Sequence, residues 1–299
     1  MKRGFALALT LWIVAILMVT SILFLEYSKK TVEKSKALNK KLELTIETES
    51  LFELLKFYLS TGKFSKNEIH NELLTPFMPT FSNFIKIDST PYQWRNCKII
   101  LQDTAGLLSL EDRNAIVNYI QFNNVVKNNV SVDKKIIDWL DRDTLETING
   151  GESGIYRQYN YTPRNQGYFA AVDELFLIKG LNDLNSTDIL SKYLVKSDLR
   201  RRNILTMDEV LLKSIYGISD IEIKQLIKLR RRGDFKKLFS FFATINKKIY
   251  SEERDGGYPS NILKITIVCS ENSIKKKIIV LVDFNKKSKK AIEILNYKN

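Results

Sequence analysis

Residues 5–25 read FALALTLWIVAILMVTSILFL, directly behind Met1-Lys2-Arg3-Gly4, and this uncharged run of 21 residues decides the fold. At 1.5 Å per residue a helix of that length spans about 32 Å, the thickness of a bilayer's hydrocarbon core. A buried core helix rarely runs so far without a charge. A cleavable secretory signal would share the basic start at Lys2 and Arg3, but its apolar region would be shorter and would end at a small-residue cleavage site. The following residues are Glu26-Tyr27-Ser28-Lys29-Lys30, which offer none. Residues 5–25 are therefore read as a membrane-spanning helix.

Neither Gly nor Pro interrupts the chain from Glu26 to Ser60. Val32, Leu38, Leu42, Leu44, Ile46, Leu51, Leu54, Leu55 and Tyr58 form a broken helical stripe among charges, and Gly62 is a plausible stop. One helix from Phe5 to about Ser60 would be about 84 Å long, half in lipid and half on a soluble domain.

The chain has 299 residues, with 47 Lys and Arg against 34 Asp and Glu, a net charge of +13. Such a balance first suggests nucleic acid or an anionic membrane. The excess is local, however. Residues 1–62 carry +3, residues 63–198 carry −2, and residues 199–299 carry +12. Two cysteines exclude a disulfide-rich scaffold and a four-Cys zinc site, and one histidine argues against Ser-His-Asp or His-rich metal catalysis. His70 reads as a surface side chain. No phosphate-cradling glycine loop, nucleophile elbow or zinc-protease motif is present, so no enzymatic activity is expected.

After Gly62 a stretch holding Pro76, Pro79 and Pro91 suits loops and edge elements. Arg95–Leu101 reads as a strand, Gln102–Gly106 as a turn, Leu107–Leu110 as a short apolar piece, and Glu111–Phe122 as a helix. Strand signals return at Ile262–Cys269, Lys275–Phe284 and Ala291–Tyr297, the first two joined through Ser270-Glu271-Asn272-Ser273. Strands on both sides of a helical block imply one sheet interrupted by an insertion, with the first helix covering its apolar face.

Lys2-Arg3-Gly4-Phe5 before a long apolar helix resembles the class III signal of type IV prepilins and type II secretion pseudopilins. The resemblance implies cleavage by a prepilin peptidase between Gly4 and Phe5, with methylation of Phe5. Most pilins carry glutamate at the fifth mature position, where this chain has Leu9. An apolar residue there is the habit of the K-type minor pseudopilin. A subunit without that carboxylate has nothing to offer the amine of a subunit ahead of it, which suits the first place in a fibre.

Three further segments, in order, are similar to the helical insertion of that family: DWLDRDTLETINGGESGIY (138–156), RNQGYFAAVDELFLIKGL (164–181) and residues 201–245. The resemblance implies an α+β fold, with a pilin-like transmembrane helix on a small antiparallel sheet and a large all-helical insertion. The chain then divides into a leader at 1–4, the transmembrane helix at 5–25, and helix plus first strands at 26–110. The insertion occupies 111–250 and the closing strands 251–299. The role implied is a tip subunit that helps initiate and cap the pseudopilus. It would be held as a single-pass protein of the bacterial inner membrane with its C-terminal domain in the periplasm. Its implied partners are the I-type and J-type minor pseudopilins, the prepilin peptidase, the assembly platform and membrane lipid. A minor pilin of a type IV pilus is the nearest alternative.

Two clusters invite chemistry. Asp138, Asp141, Asp143, Glu146 and Glu152 gather five carboxylates beside Gly150 and Gly151, a composition that suits calcium. Asp141, Asp143 and Glu152 sit at positions 1, 3 and 12 of an EF-hand count, but Leu145 and Glu146 at positions 5 and 6 break that motif. Helix capping and solvated surface is the competing reading, and resemblance to calcium-binding K-type pseudopilins favours the cation.

The second cluster is Leu212–Ser219, whose Gly217-Ile218-Ser219 resembles the hairpin of a DNA-binding helix-hairpin-helix, with Arg200–Arg202 and Arg230–Arg232 nearby. That would make a membrane-tethered protein of DNA uptake. Ser219 replaces a glycine needed for close phosphate approach, and Asp220 repels phosphate. A packing unit is the preferred reading, and nucleic acid is not an expected partner. Finally, Cys97 and Cys269 fall on strands of one sheet. Two buried small hydrophobes are preferred over a disulfide, because sequence separation does not determine Cα distance.

Overall fold

A computed structural model describes residues 2–72, 84–124, 132–181, 190–196, 201–245, 255–271, 273–284 and 293–298, with backbone alone at 2–8 and 293–298. Helix α1 runs unbroken from Lys2 to Thr61. Its first half is bare: Leu11, Trp12, Phe24 and Leu25 are each more than 60% exposed. Such a surface calls for apolar surroundings, and α1 is long and apolar enough to cross a membrane. From Leu44 onward one face turns inward, and Leu44, Leu51, Phe52, Leu55, Tyr58 and Leu59 are buried. Each contributes about 1.5–3 kcal/mol by leaving water.

That face lies on a five-stranded antiparallel sheet ordered β12-β11-β10-β5-β4. Its strands are β4 (Asp88–Trp94), β5 (Cys97–Asp103), β10 (Ile262–Glu271), β11 (Ile274–Asp283) and β12 (Glu293–Lys298). Alternate residues of the central strands point at the helix: Cys97, Ile99 and Leu101 on β5, Leu263, Ile265, Ile267 and Cys269 on β10, and Ile278, Val280 and Val282 on β11. β4 carries Pro91 and lies at the sheet edge, where a missing N–H costs least. A small antiparallel sheet of β1 (Lys63–Phe64), β2 (Glu68–His70) and β3 (Phe84–Lys86) follows α1. Pro76 and Pro79 lie outside the described residues.

The sheet has a definite sense along α1. Glu271, at the β10–β11 turn, pairs with Lys40 at 2.6 Å. At the opposite end of β11, the Phe284 ring packs at a tilt against Phe64, just beyond the helix, at 5.5 Å between centroids. The β10–β11 turn therefore points toward the exposed apolar half of α1, and the Asp103 end of β5 points away from it. The chain departs into its insertion from that far end.

The insertion is built on α2 (Arg113–Phe122), α3 (Val132–Leu140), α4 (Ser153–Tyr156), α5 (Val172–Leu175), α6 (Glu209–Tyr216), α7 (Asp220–Arg231) and α8 (Phe235–Ile245). It has its own core, with Tyr119, Trp139, Tyr156, Leu211 and Phe242 buried together. Two-residue strands that periodicity cannot reveal tie it to the flanks. β6 (Leu108–Ser109) pairs in parallel with β7 (Leu194–Val195), and β8 (Arg202–Asn203) with β9 (Asp255–Gly256).

Two buried charges fasten the insertion to the sheet. Asp103 Oδ1 accepts from the amides of Ala105 and Ser260 and from the Ser260 hydroxyl, at 2.7–3.1 Å. Its Oδ2 accepts from Asn203 Nδ2 at 2.8 Å and Thr206 Oγ1 at 3.0 Å. Burial pushes this carboxyl upward and the donors pull it back. Lys264, on the outer face of β10, donates to the carbonyls of Ser191 and Lys192 at 2.9 and 3.1 Å. Cys97 and Cys269 lie directly opposite in register, with Cα atoms 4.0 Å apart, and are joined by a disulfide. The structure thus takes the alternative that the sequence reading ranked second. Both sulfurs share the helix-facing core, a proximity that register creates and separation hides.

Candidate functional site

The acidic loop is shaped from beneath by Asp138. This residue lies in the last turn of α3, beside the buried Trp139 and Leu140, and is itself fully buried. Its Oδ2 accepts from the amides of Thr147 at 3.1 Å and Gly151 at 2.8 Å, and its Oδ1 from the Thr147 hydroxyl at 2.8 Å. Gly150 is required here, since a Cβ would sit 1.9 Å from Asp138 Oδ2. Next to Asp138, the Trp139 indole donates to Glu174 at 3.1 Å and packs edge-on against Tyr156. Glu174 also accepts from the Ala170 amide at 2.6 Å, so the Val172–Leu175 segment is tied to Trp139 through this carboxylate.

On this base, one carboxylate oxygen each from Asp141, Asp143 and Glu152 lies within 4.8 Å of the others. Asp141 Oδ1 and Glu152 Oε1 are buried with no hydrogen-bond partner. Burial, followed by Asp143 and Asp138, pushes the Asp141 carboxyl upward. Burial also raises Glu152, against the Ser153 amide, with Asp141, Asp138 and Asp143 adding repulsion. Buried, unpaired oxygens beside like charges are costly unless a cation neutralises them. An all-oxygen donor set of this kind suits calcium.

The five candidate carboxylates therefore separate. Asp141, Asp143 and Glu152 converge, Asp138 is consumed in shaping the loop, and Glu146 is exposed and outside the cluster. Asn165 is an addition absent from the sequence reading. Its Nδ2 donates to the Asp143 carbonyl at 2.9 Å, while its Oδ1 is buried without a partner. Its left-handed backbone, φ 52°, is the local signal, since Asn tolerates that conformation in a turn.

The hairpin at Gly217-Ile218-Ser219 closes on itself. Gly217 ends α6 at φ 64° and donates to the Lys213 carbonyl at 2.8 Å. Ser219 caps α7, and its amide donates to Glu222 at 2.8 Å. Ile218 is buried, and Lys213 pairs with Asp220. The hairpin amides of Gly217 and Ser219 are thus in use. Of the basic runs, Arg200 lies outside the described residues. Arg202 pairs with Asp112, and Arg230 is buried against the carbonyls of Ile204 and Met207.

At the processing motif, Gly4 and Phe5 lie on the helical backbone of α1, and Leu9 is half exposed on the same helix. His70 is exposed, 2.9 Å from Glu68.

No protein-family model matches the chain, and no curated protein sequence matches it. Among solved structures it is similar to a chain of the GspK-GspI-GspJ complex from the type 2 secretion system of enterotoxigenic Escherichia coli. The identity is 14%, the TM-score 0.53, and the match covers 89% of this chain and 98% of the other. At that coverage the insertion belongs to the match along with the helix and sheet. The fold is pseudopilin-like: a long N-terminal apolar helix on an antiparallel sheet, with a largely helical insertion.

Proposed function

We propose that this chain is the K-type minor pseudopilin of a type II secretion machine, acting at the pseudopilus tip as an assembly subunit rather than a catalyst. The observation that carries the reading is the placement of the insertion. It leaves the sheet at the end farthest from the membrane-spanning segment and is fastened there through Asp103 and Lys264. A bulky head at the outer end suits a position with no subunit beyond it. Leu9 fits the same place, because a glutamate there would serve a neighbour ahead.

Before assembly, α1 holds the subunit in the inner membrane with the rest in the periplasm. A prepilin peptidase removes residues 1–4 and methylates Phe5. In the fibre the apolar half of α1 packs with other helices, and the I-type and J-type minor pseudopilins flank this subunit. Asp141, Asp143 and Glu152, with Asn165 adjacent, would hold a calcium ion that neutralises the loop and partners the orphaned oxygens. The closed hairpin amides disfavour the DNA-uptake alternative.

Co-expression with cognate I-type and J-type subunits tests the tip assignment. The account expects a ternary complex of one copy each that survives gel filtration. Elution of this chain alone, with the other two paired, would overturn it.

A further inference from the structure

The end of the sheet nearest the apolar half of α1 carries a basic surface. Lys98, Val268 and Lys277 are paired in one row across β5, β10 and β11. Cys97, Ile99, Cys269 and Ile278 face α1, so this row faces the other way. At about 4.8 Å per strand the two lysines are about 10 Å apart. Two residues nearer the turn on the same face stand Lys275 and its partner Ser270, and beyond Lys98 lies Gln93. Lys98, Lys275 and Lys277 are all exposed. The surface holds no carboxylate among the described residues of these positions, and the nearby Glu271 is paired with Lys40. Arg95, exposed in the adjoining β4–β5 turn, stacks on Trp94 at 4.6 Å, a pairing suited to a lipid–water interface.

The neck of α1 carries matching charge. The buried stripe Thr48, Phe52, Leu55 and Leu59 continues toward the membrane at helical spacing as Lys41, Lys34 and Lys30, all exposed. These lysines therefore face the side from which the sheet hangs. With α1 upright, Lys40 stands about 22 Å above Leu25, beyond one Debye length. A lean toward the sheet, within the 0–40° seen for spanning helices (about 20° on average), brings the outer face down.

We propose that this face, Lys98, Lys275 and Lys277 with the Trp94-Arg95 turn, docks on anionic phospholipid headgroups and parks the unassembled subunit against the bilayer. The proposal rests on the membrane-anchor reading. Each lysine near an anionic surface shifts the balance about fivefold, so three shift it by about a hundredfold. Extraction into a fibre then requires leaving the lipid surface.

The test places the full-length chain in lipid nanodiscs, labelled with a donor dye at Ser273→Cys and acceptor dye on lipid. Discs of phosphatidylcholine alone are compared with discs one-third phosphatidylglycerol. The expected result is a rise in energy transfer of about twofold on adding phosphatidylglycerol, reversed by about 0.5 M salt. The K98Q/K275Q/K277Q variant should enter discs equally and lose the rise. Equal transfer in both lipids, with the chain in the discs, overturns the proposal and reassigns the lysines to an acidic protein partner. Failure of the chain to enter discs overturns the anchor reading, and the proposal with it.

Discussion

Calcium addition to the chain should raise its thermal stability, and Glu152→Gln should reduce that gain. Without a cation, Asp141 and Glu152 each keep one buried oxygen unpartnered, and both carboxyls are pushed upward. A raised carboxyl means that the folded state holds protons the unfolded chain releases. The cation-free protein therefore loses stability as pH rises above the ordinary carboxylate range. A bound calcium removes that loss by favouring the ionised forms. For a dissociation constant of about 10⁻⁴ M, about 5 mM calcium contributes about 2.3 kcal/mol. In a soluble part of this size that is a rise of about 5–9 °C. Loss of one carboxylate ligand should weaken binding about tenfold, leaving about 1 kcal/mol and a rise of about 2–4 °C. Glu146→Gln, outside the cluster, should keep the full rise. Differential scanning fluorimetry at pH 5 and pH 7, beside isothermal titration, reads all of this. The calcium-induced rise should be larger at pH 7. No rise at pH 7 and no heat of binding would refute the reasoning.

Asp103→Ala leaves the Asn203 and Thr206 donors, and the Ser260 amide, without their acceptor in a buried joint, and should cost about 3–5 kcal/mol. Chemical denaturation would show it as an earlier midpoint; a change under 1 kcal/mol (about one ordinary hydrogen bond) would contradict the fastening role. Reduction of Cys97–Cys269, which closes a separation of 172 residues, should lower stability by about 2–5 kcal/mol, read as an earlier denaturation midpoint in reductant. The full chain should bind double-stranded DNA weakly and with no loss on Gly217→Ala, because the Gly217 and Ser219 amides are already engaged. A steep salt dependence abolished by that substitution would restore the DNA reading.

Much of this architecture is legible in the residues. An uncharged run at 5–25 followed by a periodic stripe without Gly or Pro permits little but one long helix, and α1 extends to Thr61, one residue before Gly62. The β10–β11 hairpin is legible because both strands are rich in Ile and Val around a polar turn. The joint is not. Asp103 sits in what reads as a turn, Gln102–Gly106, and nothing local announces that Ser260, Asn203 and Thr206 will meet it from more than 95 residues away. Lys264 is hidden for a related reason: a lysine in a strand suggests solvent, yet here it reaches carbonyls of the insertion. In the acidic loop, composition identifies the cluster but not its division of labour. Whether a carboxylate is consumed in shaping the loop, as Asp138 is, or joins the cluster, as Asp143 does, depends on tertiary placement.

The central claim is tested most directly at the first residues of the chain. The full-length protein should be produced in membranes with and without an active prepilin peptidase, and its intact mass and N-terminal peptide measured. The account predicts loss of Met1–Gly4, a new N-terminus at Phe5 carrying one methyl group, and no cleavage in a peptidase-free strain. An unchanged mass, beside a control prepilin that is fully processed, would contradict the assignment as a pseudopilin.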